Sequence, residues 1–133
     1  MTPSAEKPPV TIIPMLSFKD ASAAITFYKQ AFGASEISRQ MDAGGRVTHA
    51  EIRIGEMPVM LSDEFPEIDV LSPQSIGGSP VMLLLLVADV DAVFAQALAA
   101  GATLVRPVAG DTLRNGKLLD PFGHRWMIAT RKE

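Results

Sequence analysis

Residues 20–35 read DASAAITFYKQAFGAS and residues 89–103 read DVDAVFAQALAAGAT, and the parallel between these stretches decides the fold. Each opens on an aspartate, a side chain that accepts the free amides of a helix N-terminus. Each closes on a glycine, the residue that most easily supplies a left-handed C-terminal stop. Asp20 and Gly33 lie 13 residues apart, and Asp89 and Gly101 lie 12 apart. Between them Ala24, Ile25, Tyr28 and Phe32 form one apolar stripe at helical spacing, and Val93, Phe94, Ala97 and Leu98 form another. The apolar triplet LSF at 16–18 precedes the first helix and LLV at 85–87 the second, while GAS and GAT follow them.

Working outward, strand-like segments follow the first helix at Ser35–Met41, Val47–Ile54 and 58–62, separated by turn signals at 42–45 and 55–56. After the second helix, residues 103–106, 117–119 and 125–130 read the same way. The segment VTIIPMLSF, from Val10, predicts the first strand, with Pro14 needing an edge-facing position or a bulge because it donates no hydrogen bond. Prolines 3, 8 and 9 predict an extended start. Residues 63–80, rich in proline, glycine and serine, read as a long surface connection rather than an element. The result is two strand–helix–strand–strand–strand units offset by nearly 70 residues. We expect one domain over 1–133, with an N-terminal module at about 10–63, a linker at 64–79 and a C-terminal module at 80–131.

Composition fits one ordinary globular domain: 133 residues, 47% apolar and 20% charged. There is no cysteine, which excludes disulfides, thiolate catalysis and sulfur-ligated zinc. A net charge of −3 gives no footprint for nucleic acid or an anionic membrane. The longest apolar run, 81–88, is too short to span a bilayer, and the first nine residues do not read as a signal peptide. The default expectation is a cytoplasmic protein.

The segment L119-D120-P121-F122-G123-H124-R125-W126-M127-I128-A129-T130 resembles the end of vicinal-oxygen-chelate proteins, the glyoxalase, bleomycin-resistance and extradiol-dioxygenase superfamily. DPFGH followed by W and IAT is similar to its PhnB-like branch in particular. The resemblance extends through K19-D20-A21, F27-Y28, F32-G33, H49-A50-E51 and S62-D63-E64, and so covers the chain from about Val10. It implies an α+β fold in which tandem βαβββ modules form a curved mixed sheet around a cleft, helices outside. It also implies a homodimer. Residues 120–123 have a turn chemistry of their own, Gly123 allowing positive φ and Asp120 accepting amides, which favours a structural role.

Metal-dependent members of that superfamily take His and Glu or Gln from the first and last strand of each module. Carried over, those positions fall at about Ile13, Met60, Met82 and Met127, with Pro14, Leu61 and Leu83 as neighbours. None suits a hard divalent ion, and thioethers favour reduced copper. We therefore expect no metal and no cofactor, and metal-dependent glyoxalase or dioxygenase activity is disfavoured. These residues then either line an apolar, adaptable ligand cleft or fill core space.

His49 and Glu51 lie two apart on a predicted strand and share one face. Alternation sends Val47, His49, Glu51 and Arg53 towards the cleft, with Ala50, Ile52 and Ile54 under the helix. The pair suits a general base with its tuner, polar ligand contacts, or a cross-strand network. Arg114 matches a family arginine, although Asp111 and Thr112 replace the Trp-Gly pair often found before it. It fits either an anion clamp or an internal salt bridge. Trp126 is expected under the second helix, Phe27 and Tyr28 in the core, and His124 facing solvent or the cleft.

Three functions compete. The first is a metal-free protein that binds a small, partly apolar molecule. The second is a lyase-, isomerase- or transferase-type enzyme using His49 and Glu51. The third is a protein-interaction module.

Overall fold

The two aspartates cap as their positions predict. In the computed structural model, which describes residues 7–130, Asp20 accepts the Ala23 amide at 3.0 Å and Asp89 the Ala92 amide at 3.1 Å. Between cap and stop run α1 (Ala21–Phe32) and α3 (Val90–Ala100), with Gly33 at φ 68° closing the first. The N-terminal module is β1 (Met15–Phe18), α1, β2 (Ser35–Met41), β3 (Val47–Ile54) and β4 (Met57–Asp63). After the short helix α2 (Pro73–Ile76), the C-terminal module repeats that order as β5 (Met82–Val87), α3, β6 (Thr103–Ala109), β7 (Asn115–Leu119) and β8 (Arg125–Thr130). Pro3 and residue 131, which entered the sequence reading, lie outside the described residues.

The expected α+β class and tandem βαβββ order hold, with the strands divided between two four-stranded mixed sheets. Their orders are β1-β4-β3-β2 and β5-β8-β7-β6. β1 runs parallel to β4, with Met15 opposite Met60, and β5 runs parallel to β8, with Leu84 opposite Met127. All other pairings are antiparallel. Asp63 ties the first module together: its carboxylate accepts the Ala21 amide at 2.7 Å and the Val47 amide at 2.6 Å.

Two local expectations are corrected. The first strand begins at Met15, not Val10; Pro14 stands just before the ladder and contributes only its carbonyl, which accepts the Met60 amide at 2.9 Å. The connection between modules is not plain loop. It holds a 3-10 turn at Pro66–Ile68, the helix α2 and a backbone bridge between Phe65 and Val70. Its Ser72 is fully buried, with its amide donated to Glu64 at 2.7 Å. Trp126 stands on β8, which packs against α3, and its ring also meets Tyr28 and Phe32 of α1.

α1 and α3 lie against each other, and Gln96 donates to the Gln30 carbonyl at 2.7 Å. The core beneath them is continuous across both modules. Ile25, Tyr28, Phe18, Ile52, Leu61, Leu118 and Ile128 are all fully buried. At its centre Asp120, 2% exposed, accepts the Tyr28 hydroxyl, the Trp126 indole N–H and the amides of Phe122 and His124. Burial, followed by the charge and hydrogen bond of Asp120, holds the Tyr28 phenol well above its ordinary pKa. The DPFG segment is therefore a structural joint between modules.

Candidate functional site

On the face of the first sheet turned away from the helices, Met15, Ser17, Met60 and Ser62 come up from the parallel pair β1–β4. β3 supplies Thr48 and His49 beside them. A bulge makes that placement possible, since the β2–β3 register shifts between the Gln40–His49 and Met41–Val47 pairs. Thr48 and His49 therefore both face outward, while Val47 turns into the core and is fully buried. This corrects the strict alternation that placed Val47 on the cleft side.

These residues form the wall of a cavity of about 540 Å³. Met15, Leu16, Met60 and Leu61 make its floor apolar, and Ser17, Thr48, His49 and Ser62 add polar atoms. Phe65, Ile68 and Val70 of the connection line its remaining side. A pocket of this size and composition suits a small organic molecule, with apolar area supplying affinity and a few polar groups supplying orientation.

Arg46 fastens the connection in place. Its guanidinium carbon stands 4.1 Å from the centre of the Phe65 ring. The same group pairs with Glu67 at 2.9 Å and with Asp42 at 3.2 Å. Asp42 is held below its ordinary carboxylate value, first by the Arg46 amide and then by the guanidinium. At the other end, the hydroxyls of Ser72 and Ser75 and the Ser72 amide lower Glu64 to about 2.

Other predicted site residues are placed as follows. His49 lines the cavity, but the Glu51 carboxylate is engaged by Arg53 at 2.7 Å rather than by His49. Met60 is in the floor, whereas Ile13 precedes the first strand and its β1 neighbour Met15 takes the place opposite Met60. Met82 and Met127 are half-buried on the second sheet, Met82 opposite Arg125 and Met127 opposite Leu84, away from this cavity. Arg114 grips Asp91 at the start of α3 through two hydrogen bonds of 2.8 and 2.9 Å and donates to the Gly110 carbonyl. That bidentate pair is the internal salt bridge of the two roles open to it. His124 is buried at the seam between modules, its Nε2 donating to the Ser17 carbonyl at 3.0 Å.

The sequence reading missed Phe65, Ile68, Val70, Arg46, Ser17 and Ser62. Only DEFPEI carried a signal, an aromatic and an isoleucine set in a proline-rich stretch with no strand or helix to bury them.

The donors here do not fit the divalent ion on which the metal-dependent glyoxalases rely. Thioethers stand at Met60, Met82 and Met127, and no group of three His, Asp or Glu side chains suited to a metal occurs among the described residues. Nor is any helix among them long and apolar enough to cross a membrane.

Paired βαβββ modules, with a cavity on the open face of one sheet, define a glyoxalase-type fold. The chain belongs to the Glyoxalase/Bleomycin resistance protein/Dioxygenase superfamily, whose sequence profile matches residues 13–128. It is 43% identical over 122 residues to "Uncharacterized protein Rv0887c" of Mycobacterium tuberculosis, a match covering 86% of this chain and 71% of that protein. The X-ray structure of the At5g48480 gene product from Arabidopsis thaliana superposes with a TM-score of 0.70 at 28% identity, covering 93% of this chain and 99% of that one. TioX from Micromonospora sp. ML1 also gives 0.70, at 25% identity, over 92% and 98% of the two chains.

Proposed function

We propose that this chain is a PhnB-like member of its superfamily that binds a small, partly apolar molecule in the cavity of the first sheet without using a metal. The carrying observation is that cavity itself: a floor of Met15 and Met60, with Phe65, Ile68 and Val70 opposite. Methionine adapts its shape to a ligand better than branched side chains do, and the aromatic ring adds a flat surface. Serine, threonine and histidine then give directional contacts without a fixed charge.

The working form in this reading is a cytoplasmic homodimer. β5 pairs with β8 on one side only, and Leu84 and Leu86 are 57% and 44% exposed along it. An unpaired apolar strand of this kind calls for cover.

Calorimetric titration with a panel of hydrophobic and cationic small molecules tests the proposal. At least one binder is expected, with binding lost in Thr48→Trp, which fills the cavity from an exposed strand position. No binder across the panel, or stoichiometric nickel, zinc, iron or manganese in the purified protein, would overturn it.

A second reading draws on His49, which is the titratable side chain lining this cavity. There it would serve as a general base on a bound substrate, with Glu51 acting through the strand beside it. This reading requires a pH-dependent turnover that disappears in His49→Ala and Glu51→Gln.

A further inference from the structure

A second cavity, of about 290 Å³, lies at the seam where β1, the connection and the start of β8 meet. It shares Met15, Leu16 and Ser17 with the first cavity but is otherwise built from different residues. Its lining includes Leu71, Ile76, Val81 and Leu83 together with Ser79 and Arg125. Leu71, Ile76 and Val81 are 36%, 60% and 60% exposed, so an apolar lip surrounds the opening. Clustered exposed apolar residues of this kind mark binding surfaces more often than scattered ones do.

The polar end is what distinguishes the pocket. Arg125 is half-buried, yet among the described residues its guanidinium has no ion pair and no hydrogen bond. The arginines at 39, 46, 53 and 114 all pair with carboxylates. A guanidinium keeps its charge at any working pH, and its donors fit a carboxylate in bidentate fashion. Ser79 accepts the Val81 amide at 3.2 Å, which leaves its hydroxyl proton available to an anion.

The arginine also has a rigid base. The preceding residue, His124, is fixed by its amide to Asp120 at 2.9 Å and by its ring to the Ser17 carbonyl at 3.0 Å. Arg125 itself is held in register between Met82 and Leu119. A charged group on a fixed strand end is already oriented before a ligand arrives.

We propose that this seam pocket is a binding site for small amphiphilic carboxylates, with Arg125 and Ser79 receiving the carboxylate and Leu71, Ile76, Val81 and Leu83 the apolar tail. The site is independent of the ligand proposed for the first cavity. Titration calorimetry with the series butanoate, hexanoate and octanoate, each set against the matching alcohol, tests it on the intact protein. Hexanoate should bind about tenfold or more tightly than hexanol, and Arg125→Met should abolish that preference, as expected for one charge-assisted contact.

Two exposed positions separate the cavities. Ile76→Trp fills the seam pocket and should eliminate carboxylate binding, whereas Thr48→Trp fills the first cavity and should leave it intact. No binding across the series, equal binding of acid and alcohol, or the reverse response of the two tryptophan variants would each overturn the proposal. Thermal melting of every variant confirms that its fold persists; Arg125→Lys, which keeps the charge, should retain part of the preference.

Discussion

The Tyr28 phenol in the first module donates a 2.5 Å hydrogen bond to the buried carboxylate of Asp120 in the second. Two backbone amides and the Trp126 indole converge on the same carboxylate. Tyr28→Phe removes one charge-assisted bond and should cost about 1–3 kcal/mol in urea unfolding. Asp120→Asn should cost more, because the NH2 that replaces one carboxylate oxygen cannot accept, so a buried donor such as the Trp126 indole N–H is left unpaired. Equal stability of wild type and Asp120→Asn would contradict this account.

The same pair sets an alkaline limb. The folded state keeps the Tyr28 proton above the ordinary tyrosine value of 10.0, so it binds that proton more tightly than the unfolded chain does. This stabilisation is complete below that value and is lost as pH rises from there through the folded pKa. Unfolding midpoints measured above pH 10 should fall more steeply in wild type than in Tyr28→Phe.

Glu64 gives the opposite slope. With its folded value near 2, against 4.5 ordinarily, it stabilises the connection at neutral pH, and that contribution fades as pH falls from 4.5 through 2. The Ser72 amide, whose acceptor is this carboxylate, should show a chemical-shift titration close to pH 2. Glu64→Gln should remove this titration and leave only the acid dependence that Asp42 and Glu67 contribute through Arg46.

Arg46 acts locally. Its partners lie at the surface, Glu67 exposed and Asp42 partly so, and Arg46→Ala should leave the global unfolding midpoint almost unchanged. Amide exchange over residues 65–70 should nevertheless accelerate, since the same substitution releases Phe65. Arg46→Lys should restore only part of the protection, because an ammonium cannot span both carboxylates and the ring as a planar fork does. Unaltered exchange in Arg46→Ala would show that the connection holds itself in place.

Gly123 permits no side chain. Its φ is +95°, and an added Cβ would lie 2.8 Å from the Pro73 Cβ. Gly123→Ala should therefore destabilise by about 1–3 kcal/mol, from backbone strain and the forced shift of the connection. Denaturant unfolding measures it.

What the sequence discloses here is mostly what is local. Asp20, Gly33, Asp89 and Gly101 act on amides and carbonyls within a turn of themselves, so their types and spacing were enough to define both helices. Val47 was misplaced because a bulge adds one residue to one strand without altering the apolar pattern. The contacts of Trp126 with Tyr28 and Phe32 of α1 went unread because alternation tells which face a side chain occupies and not every neighbour it meets. The far wall of the first cavity escaped notice for a related reason: Phe65 and Val70 close on each other through the backbone, and Arg46 reaches them from the β2–β3 hairpin. None of those contacts leaves a period in the sequence.

The joint at Asp120 also bears on inheritance. The two modules repeat one another as an ancestral duplication would leave them, yet the carboxylate of one is satisfied by a phenol of the other, and the His124 ring rests on a carbonyl of β1. Excising the first module would leave the Asp120 carboxylate without the Tyr28 hydroxyl, and excising the second would leave that hydroxyl without its acceptor. Gene halves expressed apart should yield insoluble fragments, and together they should complement. The repeated topology is thus mechanically a single unit: each half presents a polar group whose partner lies in the other.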